Sequence, residues 1–410
     1  MASTSTATTV KVETDDDDAA MTTLDSPLST SAPTLAASPT DVFFRPGLWA
    51  WQRVSRYTLR SVVGKGAYGM VFSARDASTG MSVVIKRISR VFESVATTKR
   101  VIRELKIHRC IQDRIPGCVV RMTDVLMPSD ASPSFDDVFI VMERMDCDLS
   151  VVRRSLTDAQ CAYLTYQLFR ALDGMHRCGL VHRDVKPQNV LVNKDCTLRL
   201  CDFGMSRWTT GHAKDGYMWS DYVTTRWYRS PELCAPISGA YTTASDIWSA
   251  GCIFAELLGG RAVFPGRDSV HQLALIADLI GPPPETLLAS VRDPMARSNL
   301  NRRLSRSGSS DMIDYKFAMV SPVARDLLRA LLVYDPASRI SAKAAMEHPY
   351  FSHIHPKMPA TTPYVSSWDD KDFTFDMIGI TTKEARMLLH TEMLISSSLL
   401  ASTKSSQPSP

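Results

Sequence analysis

Between His182 and Gly204 the chain reads HRDVKPQNVLVNKDCTLRLCDFG, two short polar loops separated by apolar, strand-like runs. The chemistry such loops could do is the handling of a phosphate. Asp184 is a carboxylate able to take a proton from a substrate hydroxyl. Asn189 and Asp202 offer side-chain oxygens to a hard cation such as Mg²⁺, which keeps waters and prefers a few protein oxygens plus phosphate oxygens to an all-protein cage. Lys186, two residues after Asp184, brings positive charge to where a transferring phosphoryl group gathers negative charge. Each tripeptide alone would pass for a chance turn, since Asp and Gly favour turns. Two ordered motifs with Lys186 and Asn189 correctly spaced between them leave chance roughly one part in a hundred or less.

Groups of this kind act only when other segments hold a nucleotide against them. From Tyr57, YTLRSVVGKGAYGMVFSARD predicts two β-strands around Gly64, Gly66 and Gly69, where a backbone free of Cβ atoms can close over phosphates and face its N–H groups toward an anion. A lone G-x-G-x-x-G would equally open a dinucleotide-binding unit, but those glycines lie between a strand and a helix. The next strand, SVVIKRI, supplies Lys86. SVATTKRVIRELKIHRCI has helical spacing, with Val101, Ile102 and Leu105 set against Arg100, Arg103 and Lys106, and it carries Glu104. DVFIVMERMDCDL reads as a buried strand entering a polar connector. SLTDAQCAYLTYQLFRALDGMHRCG reads as a long amphipathic helix, capped by Thr157 or Ser155 and closed by Gly179, that delivers the chain to the first polar loop.

This succession resembles the protein kinase family over roughly Tyr57 to Ile395. The resemblance implies an α+β, two-lobed fold, a small antiparallel β lobe plus a mostly helical large lobe, with ATP and Mg²⁺ between them. It implies Asp184, Lys186 and Asn189 as catalytic residues and Asn189 and Asp202 as metal ligands. The nucleotide would meet Val63, Gly64, Lys65, Gly66, Ala67, Tyr68, Gly69 and Val71 of the glycine-rich loop, then Val84, where alanine is usual, and Lys86. Met142 would be the gatekeeper, Met145 the hinge residue and Leu191 the floor beneath the adenine, while Glu104 would pair with Lys86. Cys201 is expected at the back of the pocket as a structural thiol.

From Gly204 to Glu232 turn formers abound, as in an activation loop, and the ending YVTTRWYRSPE is similar to the mitogen-activated protein (MAP) kinase branch. That branch has a Thr-x-Tyr pair here; this chain has Ser220-Asp221-Tyr222. The resemblance implies switching by phosphorylation of Ser220 and Tyr222. Without phosphate, Arg100, Arg103, Arg183, Arg207, Arg226 and Arg229 would lack partners; a phosphate near −2 takes bidentate bonds from such arginines. Phosphorylated Ser220 is expected on Arg103, Arg183 and Arg207, and phosphorylated Tyr222 on Arg226 and Arg229. Implied partners are proteins bearing Ser/Thr-Pro sites, an upstream dual-specificity MAP kinase kinase and phosphatases, with the protein itself a monomer. Asp246 and Trp248 stand at architectural positions, and Arg339 can pair with Glu232. Residues 282–314 lie where MAP kinases carry an insert, which they resemble poorly. SHIHPKMPATTP replaces the acidic docking patch expected after residues 348–351, leaving Asp369, Asp370 and Asp372 as substitutes. DFTFDMIGITTKEARMLLHTEMLIS resembles the extension that wraps back to the small lobe. Two other readings stay open: a catalytically weak pseudokinase acting as a scaffold, and a cyclin-dependent-type kinase.

These segments divide the chain into a disordered Ser/Thr/Pro-rich tail (1–40), a kinase domain (57–351; small lobe 57–145, large lobe 146–351), the extension (352–395) and a second disordered tail (396–410). With 44% hydrophobic and 22% charged residues, the chain can build a sizeable core. A net charge of +4 argues against nucleic acid or membrane as the main partner. Nine cysteines without a CxxC pair fit reduced thiols of cytosol or nucleus. No apolar run is long enough to span a bilayer, and the N-terminus lacks a secretory signal.

Overall fold

Strand by strand, period-2 alternation sorts the small lobe into a core face and a cleft face. On β3 (Ser82–Ile88), Val83 and Ile85 are buried while Val84 and Lys86 point to the opposite side. On β2 (Gly69–Asp76), Phe72 and Ala74 are inward. With β1 (Tyr57–Gly66), β4 (Met122–Leu126) and β5 (Val138–Glu143) they form a five-stranded antiparallel sheet in the order β1-β2-β3-β5-β4. The structure, a computed structural model, describes residues 56–66, 69–127, 135–208, 226–234, 241–289, 294–304, 311–354 and 373–405.

Helix α1 (Val95–Ile111) starts where the Ser94 side chain accepts the Thr97 N–H, and it buries Val101, Ile102 and Leu105 as their spacing predicts. Helix α2 (Asp158–Arg177) opens with a capping box between Thr157 and Gln160, which selects Thr157 over Ser155 as the cap. It ends before Gly179, whose φ of +74° reverses the chain into the polar loop. Helix α3 (Thr243–Gly259) packs against α2 and carries Asp246 and Trp248, both fully buried. Arg339, with no exposed side-chain surface, forks onto Glu232: Nη1 donates to Oε1 and Nη2 to Oε2, each at 3.1 Å. Residues 285–289 and 294–304, within the insert-like stretch, are helical.

The end of the chain departs from expectation. A disordered tail was predicted from residue 396, yet helix α4 (Thr382–Ser405) continues through it to Ser405. The reason is packing: Ser396, Ser397 and Leu400 stay buried, extending the inward row of Ala385, Leu389 and Met393 against α1 and β4. Serines that look solvent-facing by composition are small enough to sit in this seam. The first 55 residues, Asp369, Asp370 and Asp372 lie outside the described residues.

Candidate active site

The first polar loop hangs from one buried carboxylate. Asp246 accepts the backbone N–H of His182 at 2.8 Å and of Arg183 at 2.9 Å, and its Oδ2 lies 3.0 Å from His176 Nε2. Arg183 is thereby held at φ +70°, a strained conformation for a residue with a Cβ. The loop so fixed brings three side chains together. Lys186 Nζ donates to Asp184 Oδ2 at 2.7 Å, and Asn189 Nδ2 donates to the same oxygen at 2.9 Å and to the Asp184 carbonyl at 2.8 Å. Both Asn189 bonds use its N–H groups, which leaves Oδ1 as the atom it can offer a cation.

The second polar loop enters from β7 (Leu198–Leu200), which pairs with β6 (Val190–Val192). Asp202 sits at φ +65° and turns its carboxylate to Lys86, 3.4 Å away. Lys86 Nζ also donates to Glu104 Oε1 at 2.5 Å. Burial works against the Lys86 ammonium, but the Asp202 and Glu104 carboxylates outweigh it and raise its pKa. Burial likewise opposes the Asp202 carboxylate, and Lys86 and Arg100 overcome it, holding Asp202 below the usual carboxylate range. Asp202 is therefore an anion at any physiological pH, the form a metal ligand needs. Among the described residues no cluster of three or more His, Cys, Asp or Glu side chains could hold a metal alone. A pair of oxygen ligands, Asn189 and Asp202, fits a Mg²⁺ that takes its remaining ligands from phosphate and water.

The glycine-rich hairpin is built by β1 and β2. A Cβ on Gly69, whose φ is +152°, would stand 1.7 Å from the Arg87 carbonyl oxygen, so no other residue fits there. Gly64 has no atom within 4 Å of such a Cβ, an open face of the kind a phosphate could approach. Lys65 and Gly66 pair with Met70 and Gly69; Val63 is exposed; Val71 lies opposite Lys86. Ala67 and Tyr68 are outside the described residues. Val84 pairs with Met142 across β3 and β5, Met145 is buried just beyond β5, and Leu191 is half-buried on β6 opposite Asp148.

Residues 57–351 match the protein kinase domain. The chain belongs to the protein kinase family. It is 41% identical over 345 residues to mitogen-activated protein kinase 9 of Arabidopsis thaliana, 40% to mitogen-activated protein kinase 12 of Oryza sativa subsp. japonica and 40% to mitogen-activated protein kinase 8 of Arabidopsis thaliana. Each alignment takes in 83% of this chain but 66%, 58% and 57% of the relative, so the chain spans less than two thirds of their length. The matched residues form a protein kinase domain with the α+β, two-lobed fold.

Two features of this kinase escaped the sequence. His108, on α1, stacks edge-on against Phe203 at 5.2 Å, and Phe203 in turn meets His182 at 5.6 Å, so three rings join α1 to both polar loops. The signal was available: residues 101, 104, 108 and 111 recur at helical spacing, which puts His108 on the inward face. The second concerns the arginines. Ser220 and Tyr222 lie outside the described residues, but the expectation that Arg103 lacks a partner without phosphate does not hold. Arg103 donates to the Asp376 carboxylate and to the Gly204 carbonyl, because the extension carries its own anion into α1. Arg207 Nε is 3.9 Å from the same carboxylate, and Arg183 lies over the Tyr241 ring. Arg100 crosses Gly204, while Arg226 and Arg229 sit at the end of the loop, half-buried. All nine thiols are free; Cys201 bonds the Asn189 carbonyl through its Sγ at 3.5 Å, and burial together with Asp202 pushes its pKa far up, the state of a structural thiol. No helix among the described residues is long and apolar enough to cross a membrane.

Proposed function

We propose that this kinase transfers the γ-phosphate of ATP to Ser or Thr hydroxyls of proteins, at sites followed by proline, within a signalling cascade. The observation that carries the reading is the meeting of Asp184, Lys186 and Asn189 in one hydrogen-bonded group, with an ionised Asp202 accepting from Lys86, which also donates to Glu104. In it Asp184 receives the substrate hydroxyl proton and aims its oxygen. Lys186 neutralises charge gathering on the transferred group, and Lys86, steadied by Glu104, holds the nucleotide phosphates. Asn189 and Asp202 would hold Mg²⁺, whose charge would neutralise that of the phosphate oxygens. The glycine-rich hairpin excludes water, and Val84, Met142, Met145 and Leu191 receive the adenine.

The reading includes control by phosphorylation of Ser220 and Tyr222 by an upstream dual-specificity MAP kinase kinase, reversal by phosphatases, and work in the cytosol or nucleus as a monomer. Similarity to mitogen-activated protein kinases supports it, as do the arginines that flank the loop in sequence, Arg207 before it and Arg226 and Arg229 at its end. The test is transfer from Mg-ATP to a peptide library by protein phosphorylated at Ser220 and Tyr222, beside its Asp184→Asn variant. Labelling of Ser/Thr-Pro peptides should fall about a hundredfold or more in the variant. Equal silence of both proteins would overturn the reading in favour of a scaffold.

A further inference from the structure

Arg103 and Glu104 are consecutive on α1, so they leave the helix about 100° apart and face different neighbours. Glu104 turns to Lys86. Arg103 turns to the extension, where Nε donates to Asp376 Oδ2 at 2.6 Å and Nη2 to Oδ1, while Nη1 donates to the Gly204 carbonyl at 2.7 Å. Both side chains are nearly buried, 6% exposed for Arg103 and 11% for Asp376. Lys99, one turn earlier on α1, donates to the Ile378 carbonyl at 2.7 Å and to the Asp376 carbonyl at 3.4 Å. Just before Asp376, Phe373 stacks on Trp208 beyond the second polar loop and lies under the Lys106 ammonium of α1. The extension is thus bolted to α1 and to the Asp-Phe-Gly segment at once, with the carboxylate at the centre.

We propose that Asp376 is a positioning residue for phosphoryl transfer: fastened to Arg103, its carboxylate holds α1 against the Asp-Phe-Gly loop and so keeps Glu104 on Lys86. A helix is stiff, and a shift of α1 by about an ångström would part the 2.5 Å contact between Lys86 and Glu104. Without the carboxylate, Arg103 would be a buried cation left to one carbonyl, and α1 would have to move outward to hydrate it. The arginine that kinase resemblance reserves for a loop phosphate therefore already has an anion supplied in cis. Part of the ordering of α1 precedes any phosphorylation. The proposal rests on the phosphoryl-transfer reading of the cleft.

The experiment compares the full chain, unphosphorylated, with Asp376→Asn, which removes the charge at equal size, and Asp376→Glu, which restores it. Kinetics are taken separately for ATP and for peptide, with ADP affinity and amide hydrogen exchange across residues 95–111. In Asp376→Asn, kcat/KM for ATP should fall roughly tenfold to a hundredfold while peptide KM holds. ADP should bind more weakly, α1 amides should exchange faster, and Asp376→Glu should recover most of each loss. A kcat/KM within twofold of the parent with unchanged α1 exchange would overturn the proposal. So would exchange rising through the whole domain, the mark of a merely structural role. If the unphosphorylated parent transfers no phosphate, ADP affinity and α1 exchange still decide the role of Asp376, while transfer by the chain phosphorylated at Ser220 and Tyr222 decides the functional reading separately.

Discussion

Placing an imidazole in the ring stack between α1 and the Asp-Phe-Gly loop makes the fold sensitive to acid at a calculable point. His108 is 2% exposed, and its Nε2–H donates to the Val120 carbonyl. Burial lowers its pKa from 6.5 to about 4, the Lys86 charge adding to the effect and the Val120 bond and Asp202 opposing it. Above pH 6.5 both folded and unfolded chains hold His108 neutral, and its contribution is intact. As pH falls from 6.5 the unfolded chain takes up a proton that the folded chain refuses, and stability drains away until the folded group titrates near pH 4. At about 1.4 kcal/mol per pKa unit, the loss approaches 3 kcal/mol. Carboxylates titrate in the same window, so the measurement is a difference between the parent and His108→Leu. Leucine fills the slot, and stranding the Val120 carbonyl adds a pH-independent cost of about 1–3 kcal/mol. Urea unfolding of both proteins from pH 7.5 to 4 should show the parent losing about 3 kcal/mol more than the variant over that span. Parallel curves would refute the buried, neutral imidazole.

Arg339→Ala strands Glu232 in the core and should destabilise the kinase by about 3–5 kcal/mol, lowering the thermal midpoint by roughly 6 °C or more. The double variant Glu232→Met/Arg339→Met should regain most of that; a double variant as unstable as the single would contradict the ion-pair account. Gly69→Ala forces a Cβ onto the Arg87 carbonyl, and the hairpin must shift to admit it. The strain, on the order of 1–3 kcal/mol, should appear as an ATP KM raised about tenfold or more, and an unchanged KM would count against the close approach.

What could be read from the sequence was what a short window or a fixed order of segments determines. Asp184, Lys186 and Asn189 fall within six residues, and the loop that carries them allows little but the mutual contacts the structure has. Lys86 and Glu104 are 18 residues apart, yet strand followed by helix leaves them few ways to miss each other. Arg339 and Glu232, 107 apart, were paired by resemblance and not by any local pattern. Asp376 could not be assigned to Arg103 on either ground. They are 273 residues apart, and an aspartate after two phenylalanines reads as an exposed cap until packing buries it. The helical end beyond residue 395 was missed for a related reason, since Ser396 and Ser397 are polar by type and buried by size.

The seam between α4 and the small lobe also sets an order on synthesis. Arg109 of α1 finds Glu392 of α4 across 283 residues, and Ala385, Leu389 and Met393 cover α1 and β4 from the far end of the described chain. At about 5–20 residues per second, a ribosome needs roughly 15–60 s to carry the chain from one side of that seam to the other. For that interval the small lobe stands with an apolar flank and part of its charge uncovered, an invitation to aggregation or to a chaperone. The small lobe is begun before the large lobe and completed after it.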